Sequence, residues 1–129
     1  MTFVKADLPA DCHLMSFDSL GSTNEEAKRL ASEGAKSGTV IWAREQKLGR
    51  GRYGRSWHSP NGNLYLSIIQ RPTCIPSDAT QLGFVTGVAL AETLLSITNI
   101  SITLKWPNDI LANGKKASGI LLESSIDTN

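Results

Sequence analysis

Between two β-rich segments lies a stretch that no regular element can absorb: residues 49–63, GRGRYGRSWHSPNGN. Glycine gives up backbone entropy in a helix or a strand, and four glycines fall within these fifteen residues. The Ser-Pro-Asn-Gly-Asn run that closes the stretch is a dense set of turn signals. Arg50, Arg52 and Arg55 add three like charges that repel one another in a short loop. The chain is therefore obliged to form a long irregular connection here, and whatever it folds into must hold that loop between strands.

The flanks fit this demand. Residues 13–20, HLMSFDSL, read as a strand entering a turn. Residues 22–34, STNEEAKRLASEG, read as a helix. Ser22 with Glu25, or Thr23 with Glu26, matches a capping box, and Gly34 is a natural stop. GTVIWARE at 38–45 and LYLSIIQRP at 64–72 are β-rich. Residues 77–98 predict one long helix capped by Ser77, with Phe84, Val88, Ala91 and Leu95 on one face and further apolar residues around it, hence largely buried. Residues 101–125 predict two strands joined by the turn Asn113-Gly114. Helices set between strand pairs, with hairpin connections, imply an α+β fold: a mixed sheet with helices packed on one face.

At 129 residues the chain reads as a single domain over 1–129. Thirteen basic residues against twelve acidic ones create no global field toward nucleic acid or membrane. Cys12 and Cys74 form neither a disulfide framework nor a metal pair, as expected of free thiols in a reducing compartment. There is no signal-peptide pattern, and no segment reads as a membrane span. A cytoplasmic, soluble protein is expected.

Residues 49–54 match G-x-G-x-x-G literally, but the context excludes a dinucleotide fold. That fingerprint opens a helix at its third glycine and carries an acidic residue about twenty positions on. Here RSWHSPNGN follows instead. A P-loop would need G-x-x-x-x-G-K-[ST], and a kinase loop would be followed by catalytic-loop and D-F-G sequences. Neither is found. The chemistry remains: glycines admit backbone N–H groups to an anion, arginines offer planar charged forks, and Trp57 offers an aromatic face. A nucleotide triphosphate or an acyl-adenylate needs this set. A solvated surface loop with Trp57 in the core, or a surface for single-stranded nucleic acid, are the alternatives. Three other segments stand out. GSTN (21–24) is an N-cap or a polar-ligand site. KWPND (105–109) places Asn108 and Asp109 at a strand end or in an ordinary turn. GKKASGIL (114–121) brings Lys116 into a strand whose Gly119 allows close approach.

In combination and order, STN, GRGRYGRSW, KWPND and KASGIL resemble the biotin protein ligases over roughly residues 13–125. The resemblance implies the α+β core shared with lipoate ligases. It also implies a two-step activity: biotin and MgATP give biotinyl-5′-adenylate, which is passed to a lysine of a biotin carboxyl carrier domain of a biotin-dependent carboxylase. By the same resemblance Ser22, Thr23, Asn24 and Gln46 hold biotin. Gly49, Arg50, Gly51 and Arg52 close over biotin and the adenylate, and Arg55 and Trp57 meet the phosphates and adenine. Lys105, Asn108 and Asp109 serve ATP, with Asp109 as a metal ligand or base. Lys116 bridges the biotin carboxylate and the α-phosphate, with Gly119 beside it. Lys116, Arg52 and Asp109 are the implied catalytic group.

Set against the family pattern, no helix-turn-helix precedes residue 13, so no repressor role on nucleic acid is expected. The strands and small β domain that follow in the family have no counterpart, which implies a partial catalytic domain truncated at its C-terminus. An open sheet edge at 118–125 is expected to pair with a second copy or with a missing C-terminal portion. A non-catalytic binding fragment and a lipoate or octanoate ligase relative are the functional alternatives.

Overall fold

A computed structural model describes residues 7–126. They fall into two compact units that meet in sequence between Arg71 and Pro72. The class is α+β as expected, with the strands shared between two three-stranded sheets.

In the first unit, β1 (His13–Leu20) leads into α1 (Thr23–Ser32), which returns the chain to β2 (Thr39–Gln46). β2 lies parallel to β1, with His13 opposite Thr39 and Leu20 opposite Gln46. β3 (Tyr65–Ile68) then pairs antiparallel with β2, so the sheet is mixed. Ile41 and Ala43 are fully enclosed on the face that α1 covers, where Ala27, Ile69, Phe17 and Leu30 complete the core. Full burial of a side chain such as Ile41 contributes roughly 1.5–3 kcal/mol. α1 stops at Gly34, whose φ of +93° suits a residue without Cβ. The Arg71 guanidinium donates to the carbonyls of Ala31 and Ala35 at 2.7–3.0 Å, tying the end of β3 to the end of that helix and the turn after it.

In the second unit, a short turn of helix, α2 (Pro76–Ala79), precedes α3 (Leu82–Ile97). The break between them corrects the expectation of one helix capped by Ser77. Pro76 opens α2 after Ile75, and Ser77 lies inside it, its carbonyl accepting from Thr80 Oγ1. A second correction concerns burial. Only Gly87 and Ala91 of α3 are buried, while Phe84 and Leu95 are 47% and 53% exposed. The helix covers β4 and β5 with one stripe, so an all-round apolar sequence does not mean all-round burial. The same composition corrects a third expectation, because Pro76–Ile97 is long and apolar enough to cross a membrane by length and composition. A stripe of small residues fitted to a sheet accounts for the burial it does have.

The segment expected as two strands forms three: β4 (Ile102–Lys105), β5 (Asp109–Ala112) and β6 (Lys115–Gly119), all antiparallel in that order. Pro107 cannot donate to a ladder and splits the first predicted strand at the Trp106-Pro107-Asn108 turn. Asn113 and Gly114, at φ +50° and +78°, make the expected hairpin turn. β6 ends at Gly119, six residues before the predicted end, and Ile120 N–H donates to the Asn108 carbonyl at 2.9 Å.

Ile41→Ala is expected to lower stability by about 2–5 kcal/mol, since the surrounding core cannot collapse into the space. Gly87→Ala should hold stability or raise it by up to about 1 kcal/mol, because the new Cβ would meet only the Leu104 and Ile120 side chains, at 3.7 Å. Urea unfolding measures both.

Candidate functional site

The first unit gathers a polar cluster where α1 begins. Ser22 is the N-cap, and its Oγ accepts from Glu25 N at 3.4 Å. The reach of Gln46, the last residue of β2, decides the rest. Its Oε1 accepts from Thr23 N at 2.8 Å and from Thr23 Oγ1 at 3.2 Å. Its Nε2 donates to Ser59 Oγ at 3.1 Å, and Ser59 Oγ donates to the Trp57 carbonyl at 2.9 Å. Ser67 of β3 adds a hydroxyl that lies 2.8 Å from Thr23 Oγ1 and also bonds Asn24 Oδ1. Ser22, Thr23, Ser59 and Ser67 are all buried. Buried polar groups must be hydrogen-bonded, and this cluster answers that demand with groups that present both donors and acceptors.

Ser59 and Ser67 carry no motif and are not among the residues expected from the sequence. The signal for Ser67 was its place. In Tyr65–Ile68 burial alternates, so a serine stands at an inward position among apolar residues.

The glycine–arginine loop is a self-paired turn. Trp57 N–H donates to the Gly49 carbonyl at 2.8 Å, and Gly51 N–H donates to the Arg55 carbonyl at 2.7 Å. Gly49 is required by the fold: a Cβ there would collide with Ser59 Oγ and stand 2.5 Å from the Trp57 carbonyl oxygen. At Gly51 a Cβ would meet nothing closer than 3.9 Å. Arg50 forms an ion pair with Glu25 of α1. Glu25 also meets Lys28 at 3.0 Å, and these partners, Lys28 first, hold its carboxyl below the usual carboxylate range. The Glu25 carboxylate is thus directed to two cations, and of the expected capping box it is the Ser22 arm that forms. Arg52 is held differently. Its guanidinium lies over the Tyr53 ring, 4.8 Å from the centroid, and donates to the Tyr53 hydroxyl at 2.8 Å. Tyr53 itself adopts φ +58° and is 84% exposed, an uncommon conformation for a bulky residue. Arg55 is exposed at the same tip. The structure therefore brings Ser22, Thr23, Asn24, Gln46, Gly49 and Arg50 together, while Arg52 and Arg55 sit at the exposed tip of the loop.

In the second unit, the register places Asp109 opposite both Lys105 and Gly119. Lys116 Nζ lies 3.0 Å from Asp109 Oδ1. That contact is ionic rather than directional, and Oδ1 remains a buried acceptor without a hydrogen bond. Asn108 Nδ2 donates to the Ile120 carbonyl at 2.9 Å, so this side chain ties the β4–β5 turn to the segment after β6. Trp106 is 79% exposed at the turn. Lys105, Trp106, Asn108 and Asp109 line one end of a groove whose other wall is Phe84, Gly87 and Val88 of α3. A magnesium ion takes oxygen ligands and keeps one or two carboxylates beside substrate phosphates. The Asp109 carboxylate, shared with the Lys116 ammonium, supplies the oxygen ligand type of that use. Among the described residues no three His, Cys, Asp or Glu side chains gather to hold a metal by themselves.

The sequence profile of the biotin/lipoate A/B protein ligase family matches residues 16–129. The chain belongs to that family. The bifunctional ligase/repressor BirA of Bacillus subtilis is 43% identical over 112 residues, covering 86% of this chain and 34% of the relative. The biotin–[acetyl-CoA-carboxylase] ligase of Paracoccus denitrificans is 45% identical over 106 residues, 81% of this chain and 44% of that protein. The biotin protein ligase of Aquifex aeolicus, solved in complex with biotin and ATP, superposes with a TM-score of 0.75 at 39% identity, over 87% of this chain and 47% of that one. The chain thus spans about a third to less than half of the length of these relatives.

The two loop glycines separate folding from ligand contact. Gly49→Ala should lower the melting temperature by several degrees, about 1–3 kcal/mol of overpacking. Gly51→Ala should leave it unchanged. Differential scanning fluorimetry of the two variants reads the contrast.

Proposed function

We propose that this chain carries the ligand-binding and activating residues of a biotin protein ligase, which converts biotin and ATP to biotinyl-5′-adenylate and passes biotin to a lysine of a biotin carboxyl carrier domain. The observation that supports this most directly is the hydrogen-bonded cluster of buried Thr23 and Ser67 with partly buried Asn24 and Gln46, tied through Gln46 to Ser59 at the close of the glycine–arginine loop. A fold needs an N-cap at α1, but it does not need four polar side chains there. A ureido ring, with two N–H donors and one carbonyl acceptor, matches such a mixed lining.

The chemistry sets the other roles. A carboxylate must approach a triphosphate, and two anions repel. Lys116 and Arg52 supply positive charge against the negative charge on the α-phosphate oxygens as the carboxylate oxygen attacks and pyrophosphate departs. Asp109 holds the Lys116 ammonium at 3.0 Å, fixing the position of its charge. A magnesium ion bound with the nucleotide would neutralise phosphate charge, and Asp109 would hold it. Lys105, Asn108, Arg55 and Trp57 serve the nucleotide in this reading. Gly49, Arg50 and Gly51 shape the loop that keeps water from the mixed anhydride, and Gly119 lets the nucleotide side approach β6. In the second step the carrier amine attacks the acyl carbon, loses a proton and releases AMP. Residues 1–129 are read as one catalytic-domain portion, working in the cytoplasm on a carrier of a biotin-dependent carboxylase, without nucleic acid or membrane. Pairing with a second copy or with further ligase sequence belongs to the same reading.

Binding without turnover is the second reading. It is favoured by the first unit, whose polar cluster is closed by hydrogen bonds within residues 22–67 alone.

Calorimetric titration with biotin, then with MgATP while pyrophosphate is followed, separates the two. Biotin binding with ATP-dependent pyrophosphate release is expected, and Lys116→Ala should lower the release rate by about 100-fold or more. Binding with no pyrophosphate would leave the second reading. No binding would overturn both.

A further inference from the structure

Each hydroxyl of the polar cluster carries a single proton, and counting those protons gives Ser67 a role of its own. Thr23 N–H can only donate, so the atom of Gln46 that meets it at 2.8 Å must be the carboxamide oxygen. Asn24 Oδ1 can only accept, so the Ser67 proton is committed to it. Ser67 Oγ keeps its lone pairs. Thr23 Oγ1 stands between two acceptors, Gln46 Oε1 at 3.2 Å and Ser67 Oγ at 2.8 Å, with one proton to give. Both hydroxyls are buried, at 5% and 8% exposure, so water is a poor substitute for either partner.

We propose that Ser67 is a positioning residue that takes up the Thr23 hydroxyl proton when a ligand N–H claims Gln46 Oε1. Turning that proton toward Ser67 frees a lone pair on Gln46 Oε1 without leaving the Thr23 hydroxyl unsatisfied. Thr23 Oγ1, its proton given away, then stands as an acceptor too. The cluster thereby offers two acceptors to a ligand with N–H donors, and a ligand without them gains nothing from the change. The proposal rests on the biotin-ligase reading for the ligand, whose ureido ring carries two N–H groups. The hydroxyl chain itself belongs to the unliganded protein. Without the Ser67 oxygen, the Thr23 proton has only Gln46 to bond, and an incoming N–H must displace it at the cost of an unsatisfied buried donor.

The test is calorimetric titration of the full chain with biotin, beside urea unfolding of the same variants without ligand. Ser67→Ala is expected to weaken biotin binding roughly tenfold, the scale of one hydrogen bond. Ser67→Thr, which keeps the hydroxyl, should recover most of that loss. In a Thr23→Val background no proton remains to be moved, so adding Ser67→Ala should weaken binding no further. Binding by Ser67→Ala within twofold of wild type would overturn the proposal. So would an equal loss in both backgrounds, the mark of a merely structural serine. In unfolding, Ser67→Ala and Thr23→Val should be non-additive, and additive effects would also overturn it. A wild-type chain that binds no biotin would end the ligase reading and the ligand assigned here, while the unfolding cycle still decides the hydroxyl chain.

Discussion

One carboxamide joins the parts of the first unit. Gln46 ends β2, accepts twice from Thr23 at the start of α1, and donates to Ser59 at the close of the glycine–arginine loop. Its place at a strand end is fixed by the parallel register with β1, where it stands opposite Leu20. A glutamine suits this post because one side chain offers an acceptor and a donor on opposite atoms. An acid would lose the donor and an aliphatic residue would lose both, leaving buried N–H and hydroxyl groups unsatisfied at about 1–3 kcal/mol each. The loop's course follows from that anchor. With Ser59 held, Trp57 is held, and the Gly49 backbone must pass where no Cβ fits.

The second unit uses a different economy. Its sheet is antiparallel, and each hairpin is closed by a turn whose residues are dictated locally: Pro107 in one, Asn113 and Gly114 in the other. α3 fits against it through small residues. Lys116 and Asp109 meet on a diagonal between neighbouring antiparallel strands, since Lys116 stands opposite Leu111 and Asp109 opposite Gly119. A charged pair at a partly buried strand edge is a modest contribution to stability. Its interest lies in the fixed location of an ammonium group.

Much of this was legible in the sequence where the cause is local. The strand at 13–20, the helix from Ser22 to Gly34, the strand into Gln46 and the Asn113-Gly114 turn all appear where caps, glycines and alternation put them. The membership of the family was legible from four segments in order. What was misread has non-local causes. The burial of α3 depends on what lies against each of its faces, and periodicity cannot report that. Ser77 looked like a cap until Pro76 claimed the first position of the helix. Pro107 splits the first of the two expected strands, and the strand that resumes at Asp109 draws its pairing from both neighbours. Ser59 and Ser67 were missed as members of the polar cluster because each is an ordinary residue in isolation. Only the fold reveals that a serine faces inward from β3, or that a presumed capping glutamate has an arginine partner.

The parallel pairing of β1 and β2 also orders events in time. His13 meets Thr39 only after the whole of α1 has been laid down between them, whereas Ala112 meets Lys115 across a two-residue turn. Short hairpins close within microseconds, while distant pairings wait on loop closure. Thr23, Gln46 and Ser67 lie far apart in the chain and become neighbours only when that slower closure is complete. Assembly of this cluster therefore marks the long-range closure of the first unit, and any molecule bound there would hold that closure in place by mass action.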